Sequence, residues 1–265
     1  MIKLIATDID GTLLVEGSNQ LNPEIYDTVL ALKEKGVVFA AASGRSYTSI
    51  KRLFEPVTKE MIFVSDNGAE VTCRGYEMYS SLMNRKVLAE IVKDVRQIQD
   101  CYLMLSGKGG KTYVENIPEG FKDLLVNGYQ NEVYSVEDIL TEEVDAIKCA
   151  IYKERDIEQI EDYFKEKYGQ QLNVVRAGDI WLDFMDFSAD KGIALRQIQT
   201  SLNIRREETM VFGDNMNDLG MFKMAEHSYA VANAREEVRA AAKYIAEANV
   251  NDGVLKMMKK VLAES

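Results

Sequence analysis

Residues 1–14 read MIKLIATDIDGTLL, and the change of texture inside this stretch decides the fold. Ile2 to Thr7 is mostly apolar, too short for a helix, and stops abruptly at Asp8. A short apolar run bounded by turn residues suits a strand buried on both faces of a parallel sheet. Three later runs end the same way. Val37 to Ala42 runs into Ser43-Gly44-Arg45, Met61 to Val64 into Ser65-Asp66-Asn67-Gly68, and Met210 to Phe212 into Gly213-Asp214-Asn215. Helical patterns fall between them. Asn22 and Pro23 open one, Ile25, Val29 and Leu32 keep a face apolar, and Gly36 closes it, while Ile50, Leu53 and Phe54 repeat at helical spacing after the second run. Alternating strands and helices predict right-handed crossovers and an open α/β parallel sheet of Rossmann-like form. Ligands bind such sheets at the carboxyl ends of the strands, so the four polar endings are expected to converge.

The stretch from Ser43 to Lys191 is far longer than one crossover requires. Its middle also differs in texture. A long amphipathic helix (Leu88, Ile91, Val92, Val95, Ile98) precedes two short runs, Tyr102 to Leu105 and Lys111 to Val114, joined by a Gly-rich hairpin loop. Pro118 opens a short helix, Ala146 to Tyr152 reads as a strand, and Ile157, Ile160 and Phe164 as a helix. Leu172 to Val175 and Trp181 to Phe184, around Ala177-Gly178-Asp179, read as a last hairpin. The expected organisation is a core of residues 1–82 and 188–265 interrupted by a mostly antiparallel α+β domain over 83–187.

Composition narrows the function. Among 265 residues, 43 acidic against 32 basic side chains give a formal charge of -11, without the basic patch of a nucleic-acid or anionic-membrane binder. The single histidine, His227, reads as a loop or packing residue, and one histidine rules out sites that need several. Cys73, Cys101 and Cys149 are isolated, which points to a reducing compartment rather than a disulfide framework or a zinc ribbon. No apolar stretch approaches the length of a membrane span, and the first apolar run is too short for a signal peptide. A cytoplasmic protein whose partners are small molecules or other proteins is expected.

The strand endings carry the chemistry. Asp8 and Asp10 project to the same side of an extended chain, and two carboxylates that close favour a divalent cation with hard oxygen ligands, such as Mg²⁺. Alone, Asp-x-Asp also fits an acidic turn. Gly213-Asp214-Asn215-Met216-Asn217-Asp218 brings two more carboxylates to the same edge. Ser43-Gly44-Arg45 supplies a hydroxyl, an unhindered N–H and a guanidinium, all suited to phosphate oxygens. Lys191 opens an evident helix, where a cation opposes the helix dipole and so calls for an anion; Gly192 beside it is expected to let that anion approach. Arg45 and Asn67 either face a leaving group or fix local loops. Arg176, Asp179 and Trp181 flank the last hairpin and fit ordinary turn and core roles better than substrate contact.

Taken in order, DIDGT, SGR, the DKG lysine and GDNMND resemble the haloacid dehalogenase superfamily of phosphohydrolases. The large insert resembles the α/β cap of its Cof-type subgroup. The resemblance implies Asp8 as the nucleophile that becomes an aspartyl phosphate and Asp10 as the acid that protonates the leaving oxygen and then activates water. It implies Mg²⁺ held by Asp8, the backbone carbonyl of Asp10 and Asp214, with Asp218 beside them. Ser43, Gly44, Lys191 and Asn217 would hold phosphoryl oxygens, with Arg45, Asn67 and Arg176 as possible substrate contacts. The expected activity is hydrolysis of a small phosphate monoester, either a sugar phosphate or a phosphorylated cofactor. A phosphomutase of the same superfamily and a phospho-aspartate signalling module remain alternatives. The length of the chain and Asp10 weigh against the signalling module.

Overall fold

The computed structural model describes residues 1–15, 18–177 and 179–264. The strands are β1 (Leu4–Asp8), β2 (Val38–Ala42), β3 (Ile62–Ser65), β4 (Glu70–Cys73), β5 (Tyr76–Ser80), β6 (Tyr102–Gly107), β7 (Lys111–Glu115), β8 (Glu132–Val136), β9 (Ala146–Tyr152), β10 (Asn173–Arg176), β11 (Trp181–Met185), β12 (Thr209–Gly213), β13 (His227–Val231) and β14 (Tyr244–Ala246). The helices are α1 (Glu24–Glu34), α2 (Tyr47–Leu53), α3 (Arg85–Val95), α4 (Glu119–Asp123), α5 (Glu158–Tyr168), α6 (Lys191–Leu202), α7 (Leu219–Met224), α8 (Glu236–Ala241) and α9 (Gly253–Glu264). None of them is long and apolar enough to cross a membrane.

The chain divides into two compact units, one of Met1–Arg45, Ile50–Tyr79 and Asp190–Ser265, the other of Ser46–Ser49 and Ser80–Ala189. The first carries a sheet in the order β14-β13-β12-β1-β2-β3-β4-β5. From β14 to β3 every pairing is parallel, and β4 then runs antiparallel to β3. The fold is therefore the expected α/β class. β1 lies in the middle, and its Leu4, Ile5 and Ala6 are buried because helices cover both faces of a parallel sheet. Its register pairs Asp8 with Ala42, while Thr7 pairs with Phe212. The polar residues that follow β1, β2, β3 and β12 thus emerge at one edge.

Two expectations about this unit change. His227 is the first residue of β13, its Cα opposite Met210, which removes the loop alternative and leaves the packing one. Gly192 serves packing between helices and not access for an anion. A Cβ on it would fall 2.4 Å from the backbone carbon of Gly220 at the start of α7. Gly220 in turn has no room for a Cβ, which would lie 2.7 Å from the Asp190 carboxylate.

The second unit has a six-stranded sheet in the order β10-β11-β9-β6-β7-β8. Its pairings are antiparallel except for β7 with β8, which run parallel because the chain returns through α4. Strand alternation divides its core. Leu103, Leu105, Cys149 and Ile151 pack with α3 and α5, whereas Met104, Val114 and Ala150 face Phe121 and Leu125 around α4. The expected β10–β11 hairpin forms, although Gly178 of its loop lies outside the described residues.

Gly192→Ala forces one backbone against another. It is expected to lower unfolding free energy by about 1–3 kcal/mol, as overpacking does, measured by denaturant titration. Gly36→Ala meets nothing within 4 Å but sits at φ +75°, so its cost is conformational only and should be smaller.

Candidate active site

Asp8 ends the central strand and is nearly fully buried. Lys191, the first residue of α6, reaches it across the sheet edge. The helix start is fixed by Asp190, whose side chain accepts from the N–H groups of Gly192 and Ile193. The fully buried Lys191 ammonium donates to Asp8 Oδ1 at 2.5 Å and to Asp218 Oδ1 at 2.7 Å. The cation opposing the helix dipole therefore does have anions beside it.

Asp218 is locked on its other side as well. Its Oδ2 accepts from the backbone N–H groups of Asp214 and Asn215, and Gly213 makes room, because a Cβ there would fall 2.4 Å from Asp218 Cβ. Asp214 lies over Gly11, which has φ +86° and no space for a side chain, and accepts from Thr12 Oγ1 at 2.6 Å. Asp8, Asp214 and Asp218 each bring an oxygen within 4.8 Å of the others, a group able to hold a metal ion. Of the three, Asp218 has the least to offer a cation, since both of its oxygens are already engaged.

The charges explain why this cluster calls for a cation. Burial disfavours ionisation of Asp8, and although Lys191 counters it, the neighbouring Asp218 and Asp214 leave its pKa well above the ordinary carboxylate value. Asp214 is raised too, by burial and by Asp218, against the hydrogen bond from Thr12. Burial works against the Lys191 ammonium, but Asp218 and Asp8 outweigh it and hold its pKa above normal. Were all three carboxylates ionised, facing one ammonium they would leave two negative charges uncompensated, the charge of one divalent cation.

Asp10 stands outside this cluster. Arg45 grips its carboxylate with both arms, Nε to Oδ2 at 2.8 Å and Nη2 to Oδ1 at 2.5 Å, while Nη1 donates to Asn19. Arg45 is a possible substrate contact on sequence grounds, and here its partner is Asp10. Ser43 is buried at the end of β2, where its Oγ accepts from Arg45 N, and Gly44 is exposed beside it. Asn217 is brought to the same edge and donates to Asn67 Oδ1 at 2.9 Å. Arg176 lies in the second unit beside the carboxylates of Asp179, Glu161 and Glu158 at 3.5–3.9 Å. Trp181 there donates to the Tyr129 hydroxyl.

Two contributors go beyond the roles read from the sequence. Thr12 orients Asp214, and Asn233 clamps the β1 turn by donating to Gly11 O at 2.7 Å. DIDGT holds a signal for Thr12, the hydroxyl placed just after the glycine. Nothing marks Asn233.

A buried carboxylate at the end of a central parallel strand, flanked by a lysine and further carboxylates, sits where open α/β sheets bind their ligands. The sequence profile of the haloacid dehalogenase-like hydrolases matches residues 5–258, and the chain belongs to that family as a phosphatase-type hydrolase. It is 28% identical to the Escherichia coli 5-amino-6-(5-phospho-D-ribitylamino)uracil phosphatase YbjI, over 98% of this chain and 96% of that protein. It is 26% identical to YcsE of Bacillus subtilis, which bears the same enzyme name, over 97% and 95%. Among solved structures, a chain from Eubacterium rectale superposes with a TM-score of 0.90 at 30% identity, covering 98% and 99% of the two chains. A haloacid dehalogenase-like hydrolase from Bacteroides thetaiotaomicron gives 0.86 at 25% identity, covering 98% and 100%.

Lys191→Met leaves Asp8 and Asp218 buried without their cation. The expected cost is about 3–5 kcal/mol of unfolding free energy, read from chemical denaturation, and Asp218→Asn, which removes one of the two ion pairs, should cost less.

Proposed function

We propose that the chain is a Mg²⁺-dependent phosphatase that hydrolyses small phosphate monoesters through an aspartyl phosphate on Asp8. One observation carries this reading. Two carboxylates only two residues apart are given different partners, Asp8 a buried lysine and further acids, Asp10 an arginine at the site's rim. That separation suits one group to attack phosphorus and the other to move protons.

In the first half-reaction an Asp8 oxygen bonds to phosphorus, the bond from phosphorus to the ester oxygen breaks, and Asp10 gives that oxygen its proton. In the second, Asp10 takes a proton from water as the water oxygen attacks phosphorus, and orthophosphate leaves with Asp8 restored. Asp10 must part from Arg45 at one oxygen to do this, because the guanidinium occupies both. Lys191 has three N–H groups and spends two on Asp8 and Asp218, which leaves one for a phosphoryl oxygen. Ser43, the Gly44 N–H and the Asn217 amide supply the other donors, neutralising charge that grows in the transition state.

Asp8, Asp214 and the Asp10 backbone carbonyl would hold Mg²⁺, with Asp218 fixing Lys191 next to them. The uncompensated double charge and the all-oxygen donor set fit this ion. When bound, Mg²⁺ supplies the positive charge that lets an anionic ester approach an anionic nucleophile.

For the substrate, the names of YbjI and YcsE favour a phosphorylated ribityl compound, within the broader class of sugar phosphates and phosphorylated cofactors. The deciding experiment is a phosphate-release screen with Mg²⁺ over 5-amino-6-(5-phospho-D-ribitylamino)uracil, flavin mononucleotide, pyridoxal phosphate, sugar phosphates and nucleotides. Release of orthophosphate without isomerised sugar phosphate is expected. Asp8→Asn should fall to background and Asp10→Asn by about 10²–10⁴-fold; near-normal turnover by Asp8→Asn would refute the covalent route. Independently of activity, Mg²⁺ should raise the thermal midpoint of the wild type, and the shift should be lost in Asp214→Asn.

A further inference from the structure

β3 does not simply end at Ser65. The next three residues all have positive φ, Asp66 at +46°, Asn67 at +57° and Gly68 at +96°, and two of them carry side chains that disfavour this region. Such a run persists only where its surroundings over-determine it, and here they do. Asp66 N donates to Arg45 O at 2.9 Å and Asn67 N to Ser43 O at 3.0 Å, so the turn binds both ends of the Ser43-Gly44-Arg45 segment. Gly68 lies flat against the backbone that leads into Lys191; a Cβ on it would stand 2.5 Å from the Asp190 carbonyl and 2.8 Å from Lys191 N. Asn67 completes the set with its side chain. Its Oδ1 accepts from Asn217 Nδ2, and its amide closes over Gly44, 3.2–3.3 Å from where a Cβ would be. One strained turn therefore touches the segments that supply Ser43, Gly44, Lys191 and Asn217.

We propose that Asn67 is a positioning residue for phosphate, orienting the Asn217 carboxamide and walling Gly44 so that their N–H groups point at the same phosphoryl oxygens. The proposal rests on the phosphatase reading above. It replaces direct contact between Asn67 and the leaving group with action through Asn217. The left-handed backbone puts the amide there, since from extended geometry the side chain would leave the strand in another direction. The hydrogen bond to Asn217 then fixes which way that exposed amide faces.

A double-mutant cycle tests this, using Asn67→Gly, Asn217→Ala and the double variant, with p-nitrophenyl phosphate as substrate and inorganic phosphate as inhibitor. Glycine is chosen because it accepts φ +57° freely, so the turn survives while the amide is removed. Asn67→Gly should keep the wild-type thermal midpoint within the spread of a neutral surface change. It should raise the inhibition constant for phosphate and lower kcat/KM by roughly tenfold each, about what one hydrogen bond is worth. In the Asn217→Ala background the same change should do nothing further, so that the double variant matches Asn217→Ala. Multiplication of the two single losses would overturn the inference and make Asn67 an independent substrate contact. An unchanged phosphate constant in Asn67→Gly would overturn it as well. A wild type that neither releases nor binds phosphate would instead bring down the phosphatase reading, and this inference with it.

Discussion

The buried ammonium of Lys191 between Asp8 and Asp218 is the interaction on which the site depends. A lysine there is costly to desolvate and opposes the helix dipole. It persists because two carboxylates from distant parts of the chain close on it, and each is itself held, Asp8 by its strand and Asp218 by the backbone N–H groups of its own turn. Removing any one member would strand the charges of the others. The arrangement is a joint between the end of β1, the start of α6 and the loop after β12, and it fixes the Asp8 carboxylate in place.

Space around that joint is made by the absence of side chains. Gly11 lets Asp214 lie on the turn, Gly213 lets Asp218 fold back, and the mutual contact of Gly192 and Gly220 brings α6 and α7 close enough for Lys191 to meet Asp218. These glycines do one thing in common, which is to trade side-chain volume for proximity of charged groups. The same trade explains why a chain with a formal charge of -11 can gather acids at one point. The local balance around Lys191 matters there, and the sum over the surface does not.

The central sheet is legible in the sequence because parallel strands buried on both faces become continuous apolar runs, as in LIAT or FVS. The strand-end residues follow, since sheet geometry alone places what comes after each run. Edge strands are less legible. β14 has Tyr244 and Ile245 exposed and β8 alternates with polar residues, so neither shows such a run. The choice of partner within the site is illegible for a different reason. Whether Arg45 meets a substrate or Asp10, and whether Asn67 meets a substrate or Asn217, depends on angstrom-scale offsets between loops that are far apart in the chain. Gly192 reads as room for a ligand because nothing local announces that another helix would occupy the space.

Asp190, Lys191 and Gly192 also limit how this gene can change. Asp190 answers to the free N–H groups at a helix start, Lys191 to two buried carboxylates, and Gly192 to a neighbouring backbone, so three adjacent codons are held by three unrelated demands. Even arginine for Lys191 would bring a planar fork into a space that admits a compact ammonium. Asp190 could give way to another N-capping residue, but Lys191 and Gly192 leave little room for substitution.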